Sequence, residues 1–264
     1  MEKYPYILFG SPPVGPIALQ ALKQAHYPPM RVVDDPKLTT EEQIAIVEEE
    51  KPTFILVVGY GAILKKAFLE TVCGQVLNIH PSYLPLYRGP APVIQTILDG
   101  VKETGVTLMQ IDPKMDHGKI LAQTSHALAG NETPDQLYRL LIHKGVELFL
   151  ENIETYIKDE LELTPQNHDE ATFTHFIKKE DGLMDLSQPA TVLERQIRAY
   201  QGWPRSWVIF NGKRLIIEKA FIYQNKLRFI QVQPENGKSM PFKPFLAGIR
   251  MKEEEFYALL SGKN

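Results

Sequence analysis

Short apolar runs set at intervals constrain this chain more than any other feature. YILF occupies residues 6–9, TFILVV residues 53–58 and VLNI residues 76–79. TFILVV has no polar–apolar alternation, so it reads as a strand covered on both faces. Helix signals lie between the runs. Residues 14–25 have helical character. Thr39-Thr40-Glu41-Glu42 is a helix start, with a Thr cap and acids in the first turn, and that helix ends near Lys51-Pro52. A weak strand is expected at residues 31–33, a helix at 91–98, and strands at 105–111 and 119–126. Thr133-Pro134-Asp135 opens a long amphipathic helix reaching about Ile157. Strand–helix alternation of this kind predicts an α/β fold with a doubly wound, Rossmann-like, mostly parallel sheet.

The rest of the chain changes character. Residues 160–182 are polar and broken, and read as a linker. A short helix at 190–200 ends before Gly202-Trp203-Pro204. Residues 206–210 and 214–218 flank Asn211-Gly212, the strongest short signal for a hairpin. Residues 221–232 add strand, and 252–261 a short helix. Three parts are therefore expected: 1–160, a linker and short helix at 161–204, and a small β domain at 205–264.

Composition excludes several classes. The 264 residues are 44% hydrophobic, enough for one large α/β domain and something smaller. No apolar run reaches the roughly 18 residues of a membrane span. MEKYPYILFG passes from a charged start into a strand with no signal-peptide core. Cys73 is the single cysteine, so no internal disulfide forms and a cytoplasmic setting is expected. Charge is uneven. Residues 205–264 hold eleven Lys and Arg against five Glu, whereas the first 204 residues hold eighteen basic and twenty-seven acidic residues. A basic end on an acidic body points to a polyanionic partner.

The chemistry concentrates in LNIHPSYLPLYRGPAPV, residues 77–93. Residues two apart in a strand face one side, so Asn78 and His80 project together. The prolines that follow stiffen the loop and lower the entropy lost in holding it against a ligand. An amide beside a protonated imidazole can donate hydrogen bonds to a developing oxyanion. A carboxylate is the usual third member, and Asp116 in QIDPKMDHGKIL is the candidate, with Asp112 competing. Gly118 then permits close backbone approach. No G-x-S-x-G elbow surrounds Ser82, and His80, His117, His126 and Cys73 lack zinc-ligand spacing, so neither a nucleophile triad nor a metal is expected. FGSPPVG at residues 9–15 is not a dinucleotide fingerprint, but it is a strand-to-helix loop at the sheet edge where such folds bind ligands.

LNIHPSYLPLYRGPAPV resembles the Asn-x-His…Leu-Pro…Arg-Gly…Pro segment of folate-dependent formyltransferases, and ETGVTLMQIDPKMDHGKILAQ at 103–123 resembles their second signature. FGSPP and VVGYGAILKKAFLE fit as well, so the resemblance runs in consistent order over about residues 6–204. TFTHFIKKEDGLMDLSQPATVLERQIRAYQGWPRSWVIFNGKRLIIEKA and the ending VQPENGKSMPFKPFLAGIR are similar to the linker and C-terminal domain of methionyl-tRNA formyltransferases. The resemblance implies a formyltransferase domain at 1–160 and a reduced, OB-like domain at 205–264. It implies 10-formyltetrahydrofolate as donor co-substrate, methionyl initiator tRNA as acceptor, no metal, and a monomer. Asn78, His80 and Asp116 are the implied catalytic residues, and Ser82, Leu84, Pro85 and Asp112 the implied folate contacts. Lys178, Lys179, Arg195, Arg198, Lys213, Arg214, Lys243 and Arg250 are candidate tRNA contacts. Sugar-amine N-formyltransferases share the Trp-Pro of the linker and are the rival, with an inactive folate- or RNA-binding module behind them. Two departures fall on the parts implied to hold tRNA. The family's basic insertion is reduced to the acidic RVVDDPKLTTEEQ, and about 60 residues after Pro204 are few for a closed five-stranded barrel.

Overall fold

The computed structural model describes residues 4–72, 75–260 and 262; Cys73 and Ser261 lie outside them. The chain divides into two compact units. The first comprises Met1–Val93, Lys102–Leu128 and Asp135–His175, and the second Ile94–Val101, Ala129–Pro134 and Phe176–Asn264. Residues 161–175, expected as linker, thus group with the first unit.

The first unit is built on six strands: β1 (Tyr6–Phe9), β2 (Arg31–Val33), β3 (Phe54–Val57), β4 (Val76–His80), β5 (Glu103–Gln110) and β6 (Ile120–Ala127). Their order is β2-β1-β3-β4-β5-β6. β1 runs parallel to β2 and β3, and β3 parallel to β4, but β5 and β6 pair antiparallel. An apolar run reads the same in either direction, so the reversal at β5 left no mark in the sequence. β6 follows β5 through residues 111–119, too short for a parallel crossover.

Helices α1 (Gly15–Gln24), α2 (Thr40–Glu50), α3 (Lys66–Thr71), α4 (Pro92–Asp99) and α5 (Pro134–Ile157) fill the connections. α2 starts on the expected signal. The Thr39 hydroxyl accepts from Glu42 N at 3.2 Å, and the Glu42 carboxylate accepts from Thr39 N at 2.7 Å. Such a capping box stabilises a helix start by about 1 kcal/mol. α3 has no side-chain cap, and the sequence reading did not find it. Tyr6 stacks on Phe54 with centroids 5.0 Å apart, and Phe149 of α5 packs on Tyr6, Tyr27 and Phe54. Gly145 lets α5 press on β4: a Cβ there would sit 2.2 Å from Ile79 Cγ2. That contact fixes the strand carrying Asn78 and His80 from its opposite face.

The second unit holds α6 (Ala190–Ala199), β7 (Ser206–Phe210), β8 (Lys213–Tyr223), β9 (Lys226–Pro234), β10 (Met240–Pro241), α7 (Phe242–Gly248) and α8 (Glu253–Leu260). Its antiparallel sheet has the order β10-β9-β8-β7, an open meander with β10 and β7 at the edges. Asn211 and Gly212 make the expected turn, with φ of 50° and 74°. A second reversal at Gln224-Asn225, with φ of 47° and 57°, splits the expected strand at 221–232. Gln gives little turn signal, since positive φ favours Gly and Asn. The core here sets a cluster of Phe rings among aliphatic side chains. Phe256 is fully buried, with ring centroids 4.7 Å from Phe210 and 5.0 Å from Phe242.

Candidate active site

β4 delivers Asn78 and His80 to one face, opposite Met109 and Thr107 of β5. Both are buried, at 9% and 5% exposure. The proline-rich loop beyond them is tied down by polar bonds. The Thr107 hydroxyl donates to the Ser82 carbonyl at 2.8 Å, and Leu84 N donates to that hydroxyl at 3.1 Å. Gln123 of β6 donates to the Leu84 carbonyl at 2.8 Å. The loop therefore presents a fixed backbone rather than a flexible lid.

His80 is oriented at both ring nitrogens. Nε2 lies 3.0 Å from the Tyr87 carbonyl oxygen. A carbonyl only accepts, so Nε2 carries a hydrogen. Nδ1 is then the nitrogen able to gain and lose a proton, and it lies 3.7 Å from Asp116 Oδ1. The other carboxylate oxygen, Oδ2, accepts from Gly89 N at 2.7 Å. One oxygen is anchored and the other faces the imidazole.

Asp116 reaches this position because its backbone is left-handed, with φ of 46°. Asp tolerates that region better than most residues. The turn closes tightly at Gly118, where an added Cβ would sit 2.0 Å from the Gln110 carbonyl oxygen. Gly89 is equally constrained: its φ is 115°, and a Cβ would sit 2.7 Å from Thr174 O. This is the physical content of the Arg-Gly dipeptide.

Residues 164–174 run along the site as a strap. Thr164 exchanges backbone bonds with Ile120 at 2.8 and 2.9 Å. Arg88 N donates to Thr172 O at 2.9 Å, and Thr174 N donates to Arg88 O at 2.7 Å. Between these anchors, Gln166 Nε2 donates to the carbonyls of Asp116 at 2.9 Å and Gly118 at 2.8 Å. Its Oε1 accepts from Arg88 Nε at 3.1 Å and Nη2 at 2.5 Å. Arg88 Nη2 also donates to His168 Nδ1 at 2.9 Å, and the His168 ring stacks on His117 at 3.8 Å. Burial pulls the Arg88 guanidinium below its ordinary range, while the charges of Asp116 and Asp112 act to raise it. The sequence reading missed Gln166, Thr172 and Thr174, because their stretch shows no periodicity.

The expected folate contacts divide. Ser82 and Leu84 are enclosed, at 0% and 1% exposure, and the Ser82 hydroxyl donates to Leu86 O at 2.6 Å. Both side chains are enclosed within the loop itself. Pro85 is half-buried. Asp112 accepts from Lys114 N at 2.9 Å and is paired with His117 Nδ1 at 2.6 Å.

The tRNA candidates divide too. Lys178, Lys179, Lys213, Lys243 and Arg250 are exposed. Arg198 is 9% exposed, donates to Glu132 O at 2.9 Å and pairs with Glu194 at 3.2 Å. Arg195 donates to Asp99 O at 2.9 Å. Both are half or fully buried and engaged within the second unit. Arg214 lies over the Trp207 ring at 4.3 Å.

Comparison with known proteins gives a match for each part of the chain. Residues 15–153 match the family described as formyl transferase, and residues 176–227 match the formyl transferase C-terminal domain. A methionyl-tRNA formyltransferase of Chloroflexus aggregans is 37% identical over 263 residues, covering 90% of this chain and 84% of its own length. Among solved structures, a methionyl-tRNA formyltransferase from Clostridium thermocellum superposes with a TM-score of 0.67 at 20% identity, covering 89% of this chain and 99% of that one. An N-formyltransferase from Helicobacter canadensis, solved with folinic acid and dTDP-3-aminofucose, gives 0.61 at 19% identity over 90% of this chain and 98% of that one. At those identities the superpositions establish the shared fold. The match of both domains and the sequence similarity over most of the chain establish the family: the chain belongs to the formyl transferases, among the methionyl-tRNA formyltransferases.

Proposed function

We propose that this protein transfers the formyl group of 10-formyltetrahydrofolate to the α-amine of methionyl initiator tRNA. The observation that carries the reading is the placing of Asn78 and His80 on one face of β4 with Asp116 facing His80 Nδ1. The amine attacks the formyl carbon and a tetrahedral oxyanion forms. The Asn78 amide and the protonated Nδ1 of His80 donate to that oxyanion. Asp116 holds the imidazolium and, through water, takes the proton lost by the amine. Collapse then breaks the bond to the folate nitrogen, which recovers a proton as it leaves. The fixed backbone at 82–86 with Pro85 suits the flat pterin, and Asp112 stands beside it.

The acceptor follows from the two-domain similarity to relatives bearing that name. Exposed Lys178, Lys179, Lys213, Lys243 and Arg250 supply phosphate contacts, so binding weakens steeply with salt. Among the described residues no helix is long and apolar enough to cross a membrane. A cytoplasmic monomer is part of the proposal. The deciding experiment offers purified protein and 10-formyltetrahydrofolate to methionyl initiator tRNA and, separately, to nucleotide-linked amino sugars. Formyl-methionyl-tRNA as sole product supports the reading. Formylated sugar alone would keep the Asn78–His80–Asp116 chemistry and replace the acceptor.

A further inference from the structure

The Asp116 carboxylate belongs to a closed ring of hydrogen bonds, and one member of that ring comes from the strap. Gly89 N holds Asp116 Oδ2 at 2.7 Å. The neighbouring Arg88 side chain grips Gln166 Oε1 with two N–H groups. Gln166 Nε2 returns to the Asp116 carbonyl, closing the ring, and bridges to the Gly118 carbonyl across His117. Gln166 and Arg88 are buried, at 6% and 3% exposure. Inside the protein such bonds are stronger than in water, and leaving a member unpaired is costly.

The ring has a mechanical consequence. Asp116 sits at a φ of 46°, in the left-handed region that a residue with a side chain enters at a cost. The Asp116 carbonyl is held from one side by Gln166 and the carboxylate from the other by Gly89, so the residue cannot rotate without breaking both. That leaves Oδ1 facing His80 Nδ1 at 3.7 Å. A glutamine is suited to this place. It gives two hydrogens to two carbonyls and an oxygen to a guanidinium, whereas a glutamate would set an oxygen against both carbonyls.

We infer that Gln166 is a positioning residue for the transfer reaction: it locks the left-handed turn of Asp116, and through that turn aims the carboxylate at His80. The inference rests on the catalytic role proposed above for Asp116. Its effect belongs to the transition state, because no atom of Gln166 is assigned to donor or acceptor. Geometry errors of this size typically cost about 100-fold in rate.

The test is a double-mutant cycle on the full chain with Gln166→Ala, Gln166→Glu and Asp116→Ala. Gln166→Ala and Gln166→Glu should each lower kcat about 10- to 100-fold while KM for both substrates stays within about twofold. In the Asp116→Ala background, adding Gln166→Ala should cost less than about twofold, since the carboxylate it aims is gone. Losses that multiply, or a change confined to KM, would overturn the inference. Far-UV circular dichroism checks that each variant is folded. A second readout needs no acceptor: amide exchange at Gly89, whose N–H is held by the Asp116 carboxylate. Protection there should fall at least about tenfold in folded Gln166→Glu, and unchanged protection would equally overturn the inference. Wild-type protein inert toward methionyl initiator tRNA, but with Gly89 exchange still sensitive to Gln166, would defeat the proposed acceptor and leave the positioning role standing.

Discussion

The two units solve different problems with different materials. Around His80 and Asp116 the first unit is held by buried polar groups: Arg88, Gln166, Thr107 and Thr174 all bond to backbone or to one another. The second unit is held by apolar packing, with Phe256 against Phe210, Phe242 and Phe245 among aliphatic side chains. Polar networks demand one geometry, because any slip strands a buried donor or acceptor. Apolar packing tolerates small shifts and leaves the surface free to carry charge. Ångström placement suits bond-making. A tolerant scaffold with exposed lysines suits recognition of a long polyanion.

The largest expected effect lies in the first unit. Asn78→Ala, His80→Ala and Asp116→Ala should each lower turnover about 100- to 1000-fold while the chain still folds, with a cooperative melt at a somewhat lower midpoint. Steady-state kinetics beside a melting curve checks both halves. Near-normal turnover in His80→Ala would remove the basis for setting this unit apart as the chemical one. In the second unit the loss should appear as stability instead. Phe256→Ala should cost about 3–5 kcal/mol in denaturant unfolding. A cost under about 1 kcal/mol would mean that the rings close over the gap, a looser core than their distances imply.

Sequence legibility followed the same divide. β1, β3 and β4 were readable because two-sided burial writes a continuous apolar run. α2 was readable from its capping box, and the Asn211-Gly212 hairpin from its turn chemistry. Asn78, His80 and Asp116 emerged from side-chain periodicity, loop chemistry and the family resemblance. Gln166 did not, because a side chain that acts by bonding to distant backbone leaves no local pattern. The direction of β5 was hidden for a related reason: pairing direction depends on the path of the connection, not on the run itself. Arg198 shows the converse. An arginine on a helix reads as surface charge, and its bonds to the Glu132 carbonyl and to Glu194 become visible only in the structure.

Arginine and lysine substitutions therefore sharpen the comparison at intermediate scale. Arg198→Ala should lower stability by about 2 kcal/mol and leave the salt dependence of tRNA binding unchanged. Combined Lys213→Ala, Lys243→Ala and Arg250→Ala should leave unfolding nearly unchanged. For these three, the slope of log affinity against log salt should flatten by about 0.9 for each phosphate that is no longer neutralised. Binding isotherms at several salt concentrations separate the two outcomes. An unchanged slope in the triple variant would move the tRNA contacts away from these exposed cations.

The smallest expected effect probes the polar network by pH. Desolvation, followed by the neighbouring His117 and then Arg88 and Lys114, holds His168 below its ordinary value, with Asp112 opposing. Protonation of His168 would also remove the acceptor it offers Arg88 at 2.9 Å. In the unfolded chain the imidazole takes its proton at the ordinary value near 6.5. Over the window between that value and the lower folded one, the unfolded state binds more protons, so stability falls as pH falls. The exposed position of His168 keeps the change small. His168→Gln should show a shallower decline in thermal midpoint from pH 7 down through 6 than wild type does. Parallel curves for the two proteins would mean that the strap tolerates a charge at this position. The polar side of the comparison would then be less exacting at its edge than at Gln166.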